Sequence, residues 1–564
     1  MDKPRIALAF FLILVVAVLP GLLTKPKPVP RRPGTPDSAA VHAARPESAQ
    51  AIAPAPEATA GRPTAAALPA ETVWVTSDLY RYGFTTRGAR LVAAELEQYR
   101  SFAPGDSARR AQIVPIGSPM LGARLVVGSD TLALADLAFT PDTRSLHVAA
   151  GAPASLRFVA QRGRDASITL TYTFRPDDYH ISVAGQVQGI AGAGEGAVLV
   201  VDLGTGLRSV DADAAADYRE FALVTKTDRT QKKPFASIDP GQTVALAGPF
   251  EWVAIKSKYF FAAVLATRQN ETPFVGAVAT GMSRDSVAIT SLFGTKKSPV
   301  ATRAFVATTL VVPPSGGFQY DVYVGPFEHR RLVSLGHGLD DANPYGWSIF
   351  RPIIHPVSLF VVRVLFWMHE TLHLQYGWVL IIFGIGVRLA LWPLNQRAME
   401  SQMRMQAVQP LMQEIQTRYK NDPQKLQEQM LKLYKDHKIN PLGGCFPMFL
   451  PMPVLLALFF VFTSTIEFRG VPFLWLPDLA RADPLFIMPL LMGLSMFVVS
   501  KLGQRGLPPN PQTKTMLYIF PAMFTFLFLR FASGLNLYYA VQNLVSIPQQ
   551  YRIAQQRLQR QAKK

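Results

Sequence analysis

Between Ser167 and Phe174 the chain reads SITLTYTF, so that Ile168, Leu170, Tyr172 and Phe174 alternate with Ser167, Thr169, Thr171 and Thr173. A period of two sends successive side chains to opposite faces, which predicts a half-buried strand. FQYDVYV, Phe318 to Val324, repeats the pattern, and turn signals such as RPDD (Arg175 to Asp178) and GSD (Gly128 to Asp130) separate such runs. Residues 71–330 are therefore expected to form a large all-β domain, an antiparallel β-sandwich.

After Gly325 the apolar positions lengthen into continuous runs. The stretch from Tyr345 to His373 carries Pro352, Pro356 and Arg363 within its apolar run, and 331–377 is read as an interfacial amphipathic helix region. IIFGIGVRLALWPL, Ile381 to Leu394, opens a helical core over 378–552, and further apolar segments follow at about 446–462, 484–500, 515–529 and 535–550. These are the lengths a bilayer demands of a crossing helix, the shorter ones in a thinned membrane. At the other end, Ile6 to Leu23 forms an apolar run after Lys3 and Arg5, read as an N-terminal transmembrane anchor over 1–24. Residues 25–70, rich in Pro and Ala, form a linker unable to bury enough surface to fold. The expected architecture is a polytopic α-helical membrane protein of about six transmembrane helices, interrupted by one β domain.

Between two of these runs, at 395–440, Val408, Met412, Ile415 and Tyr419 keep a helical period. NDP then breaks it, and Leu426, Met430, Leu433 and His437 resume it, predicting a helical hairpin. Met399, Met403 and Met405 near its start suit an adaptable apolar contact surface, or simple packing of the hairpin.

Charge orients this arrangement. The chain carries 57 Lys and Arg against 39 acids, a formal net charge of +18, yet only 17% of its residues are charged and 49% are hydrophobic. No basic patch interleaved with aromatics appears, which argues against direct nucleic-acid readout. Instead the hairpin region, the segment 501–514 with Lys501, Arg505 and Lys514, and the tail 553–564 are rich in Lys and Arg, whereas 467–484 is not. The positive-inside rule places the first three in the cytoplasm, and with them both termini, leaving the β domain on the outer face. The single cysteine, Cys445, permits no internal disulfide.

Two motifs compete for the functional role. Arg388 sits inside an apolar helix, where a charge costs roughly 2.5 to 3.5 kcal/mol on insertion scales. No acid lies in the other apolar segments, but Thr463, Ser464, Ser495, Thr525, Asn536, Tyr538, Tyr539, Gln542 and Asn543 do, which favours a polar cavity inside the bilayer over an ion pair. Such a cavity can receive the polar end of a hydrophobic segment and release the apolar part into lipid. The alternative is HETLH, His369 to His373, the HExxH pattern of a zinc metalloprotease, in which Glu370 would be general base and Glu467 the only plausible third ligand.

Several stretches together resemble the YidC/Oxa/Alb family of membrane protein insertases, in the bacterial form with a large periplasmic domain. They are NPYGWSIFRPI, GVRLALWPLNQRAMESQMRMQAVQP, NPLGGCFPMFLPMPVLLALFF, FLWLPDLARADPLFIMPLLMG and SGLNLYYAVQNLVSIPQQ, spanning about 340–552. EWVAIKSKYF and YVGPFEHRRL extend the likeness into the β region, which would be a periplasmic β-super-sandwich related to sugar-mutarotase folds. The resemblance implies an insertase and chaperone of the bacterial inner membrane without chemistry, cofactor or metal of its own. Its partners would be nascent membrane proteins, the lipid bilayer, the Sec translocon and, through a short basic tail, weakly the ribosome. It also implies a five-helix core with a groove arginine at Arg388, and a substrate path past Met452, Pro453, Leu455, Pro521 and Leu527. Met492 and Tyr539 fall at positions that matter in the family, and the hairpin would meet nascent chains. Gly384, one turn before Arg388, stands where members often carry threonine.

Overall fold

The computed structural model describes residues 70–562 apart from 107–108, 164, 191–196, 268–273, 292–293, 344, 347–349, 395, 397–407, 421, 438–451 and 507–510. The N-terminal anchor, nearly all of the linker, Cys445, Met399, Met403 and Met405 lie outside the described residues. The described chain divides into two compact units, one ending at Arg351 and completed by Phe460–Val471, the other formed by Pro352–Phe459 and the residues from Pro472 onward.

The first unit is mostly β-sheet. Its nine-stranded sheet runs Thr230–Pro234, Ala222–Lys226, Trp252–Lys256, Phe260–Leu265, Gly317–Pro326, His180–Gln188, Ala166–Phe174, Ala154–Arg162 and Thr140–Pro141. A six-stranded sheet is centred on Ala304–Val312 and Ala197–Gly204, and a five-stranded sheet on Leu91–Arg100, Tyr80–Thr85 and Thr72–Thr76. Ile168, Leu170, Tyr172 and Phe174 are all buried, as their alternation predicts, and Ser167, Thr169, Thr171 and Thr173 are only partly covered. The alternation fails in part on Gly317–Pro326, where Tyr323 is buried along with Tyr320 and Val322. That strand lies between two others in the sheet and is covered on both faces near its end, so both sets of side chains are apolar there.

Stacked and tilted aromatics fill the core between the sheets. The rings of Tyr80 and Tyr82 stack at 4.2 Å, and Phe84 lies 4.8 Å from Tyr172. Buried phenols need acceptors. Tyr82 donates to the carbonyl of Val324 at 2.6 Å and Tyr172 to that of Ala89 at 2.9 Å.

A short segment from far along the chain completes this unit. Arg469, with 3% of its side chain exposed, donates through Nε to Asp211 Oδ1 at 2.8 Å, and through its two Nη groups to the carbonyls of Arg100 and Val210, each at 2.9 Å. Its guanidinium also lies 4.5 Å from the ring centre of Phe102. Beside it, burial pushes the Glu467 carboxyl up to about 7, helped by the nearby Glu328 carboxylate, and its Oε2 is enclosed by protein. A second buried cation, Lys256, donates to Asn343 Oδ1 at 2.7 Å and lies 3.6 Å from Glu220. Burial and the neighbouring Lys232 lower Lys256 to about 7, whereas Lys256 and Lys232 overcome the effect of burial on Glu220 and hold it at about 2.

Helices α1 (Ala214–Glu220) and α2 (His329–Leu335) belong to the β unit; those that follow are α3 (Arg351–Leu372), α4 (Tyr376–Ala390), α5 (Gln409–Arg418), α6 (Pro423–Asp436), α7 (Met452–Ser464), α8 (Ile487–Gly503), α9 (Pro511–Phe528) and α10 (Ser533–Ala562). Helices α5 and α6 form the predicted hairpin, in which the Asp422 side chain accepts from the Lys425 amide at 3.1 Å and Pro423 occupies the first turn. Among the described residues, α3 is the one helix long and apolar enough to cross a membrane by length and composition, and α4, α7, α8 and Leu517–Phe528 are shorter apolar helices. Within the helical unit, α10 packs against α4 and α8, and α8 against α9.

Candidate substrate groove

Helix α4 is apolar along its length except near its C-terminal end, where Arg388 falls one turn after Gly384. Gly384 is buried against α10, and a Cβ there would meet Val541 Cγ1 at 3.2 Å, so the absent side chain lets the two helices approach closely. Across this contact Gln542 donates through Nε2 to the Gly384 carbonyl at 2.8 Å and to the Tyr538 hydroxyl at 3.1 Å. Four residues further along α4, Arg388 Nη2 donates to Gln549 Oε1 at 3.1 Å. Among the described residues Arg388 makes no ion pair, and its Nε and the Nε2 of Gln549 are buried without hydrogen-bond partners. The guanidinium is therefore held by a neutral amide, and no acid pairs with it among the described residues.

A second polar patch follows on the α8 face of α10. Asn543 donates to Ser495 Oγ at 3.1 Å, and Ser495 donates to the Met492 carbonyl at 2.7 Å, which places Met492 in the same neighbourhood. Gly493 is packed so tightly against Thr525 of α9 that any Cβ would collide with the threonine hydroxyl. The Tyr539 ring lies 5.8 Å from Phe528 at the end of α9. Pro521, inside α9, is buried, and its carbonyl accepts from Thr525 at 2.7 Å, while Leu527 is exposed.

Gly384 and Arg388 thus meet the α4 face of α10 and Met492 borders the polar patch on its α8 face, with Tyr539, Pro521 and Leu527 on or against α9. On α7, Met452 and Pro453 are half-buried and Leu455 is buried, and Phe459 lies 5.5 Å from the ring of Phe531. No hydrogen bond joins these three α7 residues to Arg388 among the described residues. Of the hydroxyls and amides expected around Arg388, Thr463 and Ser464 bond to the carbonyl of Phe460, Thr525 to that of Pro521 and Asn536 to that of Phe528. They satisfy backbone locally, and the direct partner, Gln549, was not among them. The signal that could have found it is a stripe at i, i+4 and i+11 on α10, formed by Tyr538, Gln542 and Gln549.

The metalloprotease alternative finds no support. Helix α3 ends at Leu372, and His373 has a φ of +52°, so His369 and His373 do not share the continuous helical turn that the motif needs. His369 Nδ1 is 2.6 Å from the carbonyl of Leu374, and its ring stacks 4.0 Å from Tyr376. Glu467 is enclosed in the β unit beside Glu328.

A chain that joins a mostly β domain to a region of apolar helices is the class these features define. The family described as 60Kd inner membrane protein matches residues 367–561, and that described as YidC periplasmic domain matches 72–357. A membrane protein insertase YidC from Chlorobaculum parvum is 32% identical over 70% of this chain and 67% of its own length. Another from Syntrophus aciditrophicus is 30% identical over 94% and 95%, and one from Herminiimonas arsenicoxydans 29% over 94% and 92%. A crystal structure of an active YidC insertase aligns over 86% of this chain and 95% of its own with 17% identity and a TM-score of 0.35. The chain belongs to the YidC family, and it is a membrane protein insertase rather than an enzyme.

Proposed function

We propose that the chain inserts nascent membrane proteins through a hydrophilic groove centred on Arg388, bordered by Gly384, Met492 and Tyr539, with Met452, Pro453, Leu455, Pro521 and Leu527 lining the path of the client helix. The observation that carries this reading is a guanidinium on an apolar helix, hydrogen-bonded to the neutral Gln549 at 3.1 Å and paired with no acid among the described residues. A permanent positive charge in a low-dielectric seam attracts an acidic or strongly polar client segment and lowers the cost of taking it out of water. The apolar remainder of the client then partitions sideways into lipid.

About six helices cross the membrane, five of them forming the insertase core; α3 is long enough to cross, but Pro352, Pro356 and Arg363 within its apolar run favour the outer interface for it, and both termini and the hairpin lie in the cytoplasm. The clustering of Lys and Arg in 395–440, 501–514 and the tail supports this orientation. In the cell the chain works alone or beside the Sec translocon, and the hairpin and basic tail meet ribosome-borne chains. Photo-crosslinking tests the groove: a crosslinker at Gln542 or Asn543 should capture the polar tail of a stalled client, and one at the exposed Leu494 should not. Equal capture at Leu494 would count against the path.

A further inference from the structure

We propose, resting on the groove reading above, that Gln549 is the positioning residue of Arg388: it aims the guanidinium along the groove while leaving its charge intact, and so sets the insertase's preference for acidic over neutral client tails.

Gly384 and Arg388 are four residues apart, about 6 Å along α4, whereas their partners on α10, Gln542 and Gln549, are seven apart, about 10.5 Å. The two helices run in the same direction at this contact, so the arginine side chain must reach several ångströms beyond its own turn to meet Gln549. That reach fixes where the charge sits. Gln549 is 1% exposed, and its Oε1 is the only hydrogen-bond acceptor that the Arg388 guanidinium has among the described residues. A buried glutamine can fill this role in a way no acid can. Its amide oxygen accepts from Nη2 as a carboxylate would, but it brings no negative charge to cancel the arginine and close the site to anions. Pro548 immediately precedes it within α10, and the helix continues through that position, so Gln549 stays on the stripe formed by Tyr538 and Gln542.

The test uses the full chain in proteoliposomes and three single-spanning clients identical except for an acidic, a neutral polar or a basic translocated tail. Gln549→Glu is expected to lower insertion of the acidic-tailed client about fivefold or more, leave the neutral one within twofold, and leave or raise the basic one. Gln549→Leu, which removes the acceptor without adding charge, is expected to lower the acidic client two- to threefold and spare the neutral one. It stands in if the glutamate variant does not accumulate. Arg388→Ala runs in parallel. If it fails to discriminate between tails, the groove reading itself falls. If it discriminates while both Gln549 variants either lower all three clients alike or change none, the groove stands and the assignment of Gln549 is overturned.

Discussion

Replacing Arg469 by alanine should detach the segment Ile466–Val471 from the β unit. The side chain satisfies three acceptors at once, the Asp211 carboxylate at 2.8 Å and the carbonyls of Arg100 and Val210 at 2.9 Å, and it covers the Phe102 ring. Arg469 and Asp211 retain 3% and 14% side-chain exposure, so solvent screens the pair weakly. Truncation leaves a buried carboxylate without its cation, and breaking a pair of this kind costs about 3 to 5 kcal/mol. The two orphaned carbonyls add to that unless water reaches them. A segment of six residues has few other anchors. The closest are the buried side chains of Ile466 and Phe468 and the Tyr345–Thr465 hydroxyl contact at 3.2 Å. The loss should therefore appear as local opening. Hydrogen exchange on the full chain in nanodiscs reads it: amides around Phe102, Val210 and Arg469 should exchange about a hundredfold faster or more in Arg469→Ala, while those of Ala166–Phe174 stay protected. A Lys variant, with a point charge and no fork, should recover only part of the protection. Unchanged exchange at Arg469 would refute the reasoning.

Acidification should tighten the same joint. Glu467 has its pKa raised to about 7, and Asp217 is raised by burial and the nearby Asp211. The native state thus holds protons that the open state releases, and stability rises as pH falls from above 7 toward the ordinary carboxylate range. Lys256, lowered to about 7, works the other way because the open chain holds its proton up to the ordinary lysine range, but most of that loss is complete above pH 7. The thermal midpoint should be higher at pH 5.5 than at 7.5, and Glu467→Gln should reduce the difference, leaving the part due to Asp217; a midpoint that falls on acidification over that window would contradict the linkage. Tyr82→Phe, which deletes the hydroxyl donated to Val324, should cost about 1 to 2 kcal/mol in denaturant unfolding without altering packing. Gly493→Ala should weaken the α8–α9 contact at Thr525 and lower the melting temperature of the detergent-solubilised chain, and Thr525→Ala in the same chain should relieve the clash.

Much of this architecture is legible along the chain because its signals are local. The alternation of Ile168 to Phe174, the NDP break in the hairpin and the arginine on an apolar helix each need only a few neighbouring residues. What stays hidden depends on distance. Arg469 meets Asp211 across 258 residues of sequence, and nothing in the local EFRG stretch distinguishes a solvated loop from a plug in a β domain. Gln549 escapes for another reason: it lies beside the end of the apolar segment read at 535–550, yet α10 continues through Pro548 to Ala562, keeping Gln549 in line with Tyr538 and Gln542. The HETLH motif misleads in the opposite sense, since spacing of two histidines suggests a ligand pair only while the helix persists, and α3 stops one residue before His373.

The groove is tested most directly by insertion of paired clients, one with an acidic translocated tail and one with an almost wholly apolar tail, into proteoliposomes holding the wild-type chain or Arg388→Ala. A charge-assisted hydrogen bond to the acidic tail contributes about 1.5 to 3 kcal/mol, so losing it should slow insertion of that client about tenfold or more, with the apolar one nearly unaffected. Equal insertion of both clients by the two proteins would contradict a role for Arg388 in receiving the polar end of the substrate.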